Sequence, residues 1–241
     1  MLRHIFFDLD NTLMLSRTQI TAEHAAVFKK LTEKMDVTVV SGAQASQIKA
    51  QIPESIGAHF YILGQTGNQA LEKNGAIIWE ERFSDEQASR IYSCIETIKL
   101  EFDTNVKDPN DLVENRGAQI AYSPIGHHEN LDKKYAFDPG DKKRAAVIAR
   151  HHAEIDALRT LGVDVVPGGT TCFDFFLVGK NKGFNVARFI ENRNWIQGEC
   201  VYVGDALFPG GNDASVIGII ETYSVKNPDD TFLFIEKVLA A

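Results

Sequence analysis

Short apolar runs alternate along the chain with longer stretches whose apolar residues recur at three- and four-residue intervals. Runs of the first kind predict strands at His4–Leu9, Val37–Val40, Phe60–Leu63, Cys200–Val203 and Ile217–Ile220. They carry few alternating polar positions, as buried parallel strands do. Stretches of the second kind predict covering helices. Thr21 is placed to cap one that uses Val27, Phe28, Leu31 and Met35, Pro53 ends another that follows Gly42, and Phe232, Ile235, Val238 and Leu239 give a third. Strand and helix alternate as in an α/β fold with a Rossmann-like, doubly wound parallel sheet.

Between residues 83 and 179 the pattern changes, which divides the chain into a core of 1–82 with 180–241 and an inserted α+β unit. Ser84 and Gln87 form a capping box ahead of Ala88, Ile91, Tyr92, Ile95 and Ile98. A second helix is expected from Asp141 to Leu161, stopped by Gly162, with strands at Leu112–Asn115, Gln119–Tyr122, Val163–Val166 and Cys172–Val178. The apolar face bearing Ile91 and Ile95 serves either its own sheet or a twin subunit, so a homodimer through the insert is one expectation.

Composition narrows the picture. With 241 residues, 44% of them hydrophobic, the chain can bury a full core. A net charge of −8 argues against a nucleic-acid partner, since phosphate backbones are bound by concentrated Lys and Arg. The apolar run before Asp8 is too short for a secretory signal, and no stretch approaches the roughly 18 apolar residues of a membrane helix. Cys94, Cys172 and Cys200 make no metal-type pair and are expected as free thiols. The expectation is a cytoplasmic protein with no membrane partner.

Two apolar runs end in carboxylates: Asp8-Leu9-Asp10-Asn11-Thr12 near the start, and Gly204-Asp205 followed by Pro209-Gly210-Gly211-Asn212-Asp213 near the end. If those strands are neighbours, Asp8, Asp10 and Asp205 share one crevice. Two such charges ~4 Å apart repel by roughly 4 kcal/mol at an effective dielectric of 20. A hard divalent cation, Mg2+ by preference, relieves that and leaves positions for a phosphate. A carboxylate can attack phosphorus, and the acid two residues on can exchange protons with the leaving or entering oxygen. Ser41 and Gly42 close the second strand where a hydroxyl and backbone N–H groups can meet a phosphoryl oxygen. Lys182, just before Gly183 and a predicted helix, can offset the accumulated negative charge. His127 and His128 have no partner at metal-ligand spacing and read as surface loop histidines.

With these segments in order, the chain resembles the haloacid dehalogenase superfamily in its large-cap subgroup. Within that subgroup it is most like eukaryotic-type phosphomannomutases, through Ser123-Pro124-Ile125-Gly126, Gly168-Gly169 with Phe173-Asp174, and the Pro209–Asp213 loop. The resemblance implies Asp8 as nucleophile, Asp10 as general acid/base, and Asp8, Asp10 (by its carbonyl) and Asp205 as Mg2+ ligands. Thr12, Asn212 and Asp213 would orient those ligands from behind, and Ser41 and Lys182 would hold the phosphoryl group. Arg17, Arg116 and Asp174 match substrate-binding positions. His127 and Lys134 stand where the mutases have arginines, and Cys172 replaces a serine.

A mutase holds a bisphosphate, whose second phosphate suits bidentate arginines. On those three departures the expected activity is a phosphatase acting on a small sugar or polyol phosphate. The alternative is a sugar phosphomutase of the phosphomannomutase type. A pure phosphate-binding protein is a third reading, opposed by the pairing of a nucleophile with a proton donor.

Overall fold

The computed structural model describes residues 2–16, 18–103 and 106–240. It divides into one unit running up to Glu80 and resuming at Gly179, and another spanning Glu81–Val178. The chain begins with β1 (His4–Asp8), α1 (Ala22–Lys34), β2 (Asp36–Val40), α2 (Ala45–Gln51), β3 (Tyr61–Gly64), β4 (Gln69–Leu71) and β5 (Ile77–Glu80). The second unit holds α3 (Asp85–Lys99), β6 (Val113–Asn115), β7 (Gln119–Tyr122), α4 (Leu131–Phe137), α5 (Lys142–Arg150), α6 (His152–Thr160), β8 (Val163–Gly168) and β9 (Cys172–Leu177). The first unit is then completed by α7 (Lys182–Arg193), β10 (Cys200–Gly204), β11 (Glu221–Ser224) and α8 (Pro228–Ala240).

The first unit's sheet has the order β11-β10-β1-β2-β3-β4-β5, parallel from β11 to β3. Every residue of β1 and β10 is buried, as their unbroken apolar runs require of central strands covered on both faces. Ile5, Phe7, Val39, Val201 and Val203 pack with Phe28 and Leu31 of α1 and Phe232 and Ile235 of α8. Phe6, Val40, Leu63 and Tyr202 face the other way, onto Val186, Phe189 and Ile190 of α7. Each such side chain contributes ~1.5–3 kcal/mol by leaving water. Chain order reverses at β1, which lies between β10 and β2, so the sheet opens a crevice at the carboxyl ends of β1 and β10.

Two features of this unit depart from expectation. The run at 217–220 is not a strand: Gly218 has φ +87°, only an isolated Ile217–Ile220 bridge forms, and the outer strand is β11. The antiparallel β4–β5 hairpin at the opposite edge was not anticipated, because its three- and four-residue strands are too short to show a period. Among the described residues no helix is long and apolar enough to cross a membrane.

In the second unit an antiparallel sheet, β6-β7-β9-β8, is covered on one face by α3, α5 and α6. Ile91, Ile95 and Ile98 are fully buried there beside Ile120, Tyr122, Phe173 and Phe175, so this apolar face is used within its own unit. The helix expected from 141 to 161 is two helices, broken at His151, where Arg150 and His151 both hold Glu101 at 2.7 and 3.0 Å. Helix α4 is new, and its Leu-Asp-Lys-Lys-Tyr-Ala-Phe sequence lacks an apolar stripe. Arg144, fully buried, secures the β8–β9 turn: its Nε donates to Asp138 at 2.9 Å and its Nη1 to the carbonyls of Gly168 and Cys172 at 2.8 Å.

Candidate active site

Asp8 ends β1 at 5% exposure, on the face turned to α7. Asn181 caps α7 by accepting from the Phe184 N–H at 3.0 Å, which makes Lys182 the first helical residue. Its Nζ donates to Asp8 Oδ1 at 2.5 Å and to Asp213 Oδ1 at 2.7 Å. Asp213 is wholly buried and also accepts from the Tyr202 hydroxyl at 2.6 Å and the Ala206 N–H at 3.2 Å. A Cβ on Gly204 would come within 2.4 Å of Asp213 Oδ2, so the strand must end in glycine for the loop to return. Thr12 Oγ1 accepts from the Asp205 N–H at 3.1 Å and donates to Asp205 Oδ1 at 3.3 Å.

One carboxylate oxygen each from Asp8, Asp205 and Asp213 lie within 4.8 Å of one another. Burial, with Asp213 and Asp205 adding to it, pushes Asp8 up to about 6 against the pull of Lys182. Burial and then Asp213 also raise Asp205. Burial works to strip the Lys182 proton, but Asp8 and Asp213 outweigh it and hold the ammonium above its ordinary range. One lysine thus faces three carboxylates. Oxygen donors crowded this way, with an excess of negative charge and no nitrogen or sulfur among them, fit a hard divalent cation such as Mg2+.

Of the other expected residues, Asp10 lies in the turn after β1, where Asn11 has φ +59° and its N–H donates to the Met14 carbonyl at 2.6 Å. Its carboxyl is not one of the three that cluster. Ser41 ends β2, buried, and its Oγ accepts from the Ala43 N–H at 3.1 Å, a bond that leaves its O–H to donate. A Cβ at Gly42 would meet nothing within 4 Å, so packing there does not demand glycine. Asn212 is exposed in the loop beside Asp213. Arg17 lies outside the described residues.

Sequence reasoning missed the support beneath Lys182. After β3, Gln65, Thr66 and Gly67 all have positive φ (53°, 58° and 90°). The buried Asn185 of α7 donates to the Thr66 carbonyl at 3.0 Å, and Asn68 donates to the Lys180 carbonyl at 3.1 Å. A Cβ on Gly67 would fall 2.3 Å from Asn185 Cβ, so this contact needs glycine. The visible signal was the Gly67-Asn68 turn pair together with an asparagine inside an otherwise apolar helix face.

In the second unit, strand register places Glu114, Ala121, Asp174 and Val166 on one row of the sheet, on the face away from the helices. Arg116 is paired with Glu114 at 2.6 Å. His127 is not a surface residue: it is half-buried, with Nε2 3.3 Å from the Ala121 carbonyl, and burial lowers its pKa. His128 is exposed and pairs with Asp111. Lys134 is buried and donates to the His127 carbonyl at 2.7 Å. Cys94, Cys172 and Cys200 are free thiols.

Burial pushes Asp174 from an ordinary 3.8 up to about 6, against the pull of Arg116 and Arg144. The folded protein therefore holds this proton more tightly than the unfolded chain. The stability it contributes is complete below about pH 4 and is lost as the pH rises through about 6. Asp174→Asn removes that loss, so chemical denaturation should show the variant gaining on the wild type between about pH 4 and about pH 7.5, by up to roughly 3 kcal/mol. An equal difference at both pH values would contradict it.

The sequence profile of the eukaryotic phosphomannomutase family matches residues 24–241. Phosphomannomutase 1 of Dictyostelium discoideum is 24% identical over 239 residues, covering 96% of this chain and 94% of its own. The phosphomannomutase of Schizosaccharomyces pombe is 25% identical, covering 97% and 93%. Among solved structures, a haloacid dehalogenase-like hydrolase from Bacteroides thetaiotaomicron superposes with a TM-score of 0.70 at 14% identity, covering 99% of this chain and 100% of its own. The IMP-nucleotidase of Plasmodium falciparum gives 0.67 at 17%, covering 100% and 68%. At those identities the superpositions speak for the fold.

Proposed function

Because the chain belongs to the eukaryotic phosphomannomutase family, within the haloacid dehalogenase superfamily, we propose that it is a cytoplasmic, Mg2+-dependent sugar phosphomutase working through an aspartyl-phosphate at Asp8. The observation that carries this reading is the Lys182 ammonium held between Asp8 and Asp213, with Asp205 beside them. An ordinary ion pair has no use for three clustered carboxylates, two of them buried, around one cation.

In this scheme an Asp8 oxygen attacks phosphorus as the bond to the sugar oxygen breaks, and Asp10 gives that oxygen its proton. A hexose bisphosphate primes Asp8 in this way; a free hydroxyl of a hexose monophosphate then attacks the acyl-phosphate, Asp10 takes its proton and Asp8 is released, and the bisphosphate so formed returns its other phosphoryl group to Asp8. Lys182 offsets the charge that Asp8 and the phosphoryl group bring together, and the Ser41 O–H donates to a phosphoryl oxygen. The Asp8 and Asp205 carboxylates and the Asp10 carbonyl would hold Mg2+, which when bound adds positive charge to the phosphoryl oxygens. Arg17, Gly42, Arg116, His127, Lys134 and Asp174 are assigned to the rest of the sugar phosphate.

One observation favours hydrolysis as a second reading. The polar face of the second unit sets Arg116 and Lys134 against Glu114 and Asp174, with His127 disposed to be neutral, so a second phosphate would meet little net positive charge. Hexose 1- and 6-phosphates assayed with and without a hexose bisphosphate separate the two. We expect the isomeric phosphate as product and stimulation by the bisphosphate. Release of inorganic phosphate that needs no bisphosphate would replace the mutase by the phosphatase.

A further inference from the structure

The Tyr202 hydroxyl is a donor to the catalytic cluster for which the scheme above has no use. On β10, Val201 and Val203 face α1 and α8, while Tyr202 lies on the α7 side among Phe6, Val186 and Phe189 at 0% exposure. Those neighbours are apolar, and phenylalanine would fill the same space. A hydroxyl there costs free energy unless it is bonded, and the bond it makes is to Asp213 Oδ1 at 2.6 Å. The strand is shaped for this contact, since a Cβ on Gly204 would lie 2.9 Å from the Tyr202 ring as well as 2.4 Å from Asp213.

Asp213 Oδ1 takes two donors, Tyr202 and Lys182, and Oδ2 takes the Ala206 N–H. Each carboxylate oxygen has two acceptor sites. Oδ1 is therefore filled and Oδ2 keeps one site, in a carboxylate that three donors prevent from turning.

We propose that Tyr202 is a positioning residue: its hydroxyl locks the Asp213 carboxylate, and through it keeps Lys182 bridged to Asp8. The proposal rests on the assignment of Asp8 and Lys182 above. Without the hydroxyl, Oδ1 has an empty site, the carboxylate can rotate, and Lys182 loses its fixed place over the nucleophile. Tyr202 is sealed from solvent and touches no substrate, so the loss falls on turnover and on the bound phosphoryl group.

The test is Tyr202→Phe, which keeps the ring. Beryllium trifluoride, a phosphoryl mimic, is titrated with Mg2+ into wild type and variant by calorimetry, beside kcat, KM and Tm. We expect kcat and beryllium trifluoride affinity each to fall about tenfold, the scale of one hydrogen bond to a charged group, with KM unchanged and Tm within about 3 °C. In an Asp213→Asn background the same change should add nothing to the loss of affinity, because Tyr202 acts through Asp213. A variant equal to an active wild type overturns the role of Tyr202 alone, as does a full further loss in the Asp213→Asn background. Calorimetric stoichiometry counts the folded, binding-competent fraction separately from its affinity, so the comparison decides the matter even if Tyr202→Phe folds poorly. A wild type that binds no beryllium trifluoride and turns over no sugar phosphate overturns the proposed function instead, and this inference with it.

Discussion

Asp8→Asn should lower turnover on the order of 10⁴-fold or more, as loss of a nucleophile does, while the protein stays folded. An amide cannot form the acyl-phosphate, yet it fits the same space at the end of β1. It also removes one of three mutually repelling carboxylates, and Asp8 is the one that burial holds up at about 6. Lys182 keeps Asp213 as a partner. Thermal denaturation without metal is therefore expected to show an unchanged or higher Tm beside a rate at background. A retained rate would end the aspartyl-phosphate account, and a collapsed Tm would mean that Asp8 is chiefly structural.

Lys182→Met should carry the largest cost in stability. It leaves Asp8 and Asp213, at 5% and 0% exposure, without their shared cation. Removing one partner of a buried ion pair costs ~3–5 kcal/mol, which for a chain of this size lowers Tm by roughly 10 °C. Activity is lost as well. Mg2+ should restore part of the Tm, because a dication among the carboxylates supplies charge the lysine no longer does. Lys182→Arg should not rescue activity, since a planar guanidinium needs a different space from an ammonium and this side chain is almost wholly enclosed. Thermal scans with and without Mg2+ check this, and a variant as stable as wild type would contradict it.

How far the sequence could be read depended on the distance over which each feature is decided. The strands ending at Asp8 and at Gly204 are unbroken apolar runs, and β1, β2, β3 and β10 lie within a residue or so of where those runs predict them. Lys182 is legible from its place just before Gly183 and a predicted helix, and it is the residue that reaches Asp8 and Asp213. Asp213 was expected only behind the ligands, yet it forms part of the cluster, because a tight loop through Gly210 (φ +87°) and Gly211 returns it to the strand end. Arg144 reads as one more basic residue, and only the turn it encloses makes it a buried anchor. The Gln65–Gly67 kink and the break at His151 likewise depend on partners far along the chain: Asn185 for one, Glu101 for the other.

The activity shows the same limit. The expectation of a phosphatase weighed three side chains, His127, Lys134 and Cys172. Family membership rests on residues 24–241 together and favours the mutase. Of those three positions, His127 removes an arginine's charge, Lys134 keeps the charge without the bidentate fork, and Cys172 exchanges a hydroxyl for a thiol, in a unit where Arg116 is already matched by Glu114.

The most direct test of the central claim is the identity of the phosphorylated residue. The enzyme, mixed with hexose phosphate, a hexose bisphosphate and Mg2+, is quenched in acid during turnover, and its peptides are read by mass spectrometry. The account predicts one phosphoryl group on the carboxyl of Asp8, absent from Asp8→Asn. A phosphoryl group on Ser41 or a histidine, with Asp8 unmodified, would contradict it.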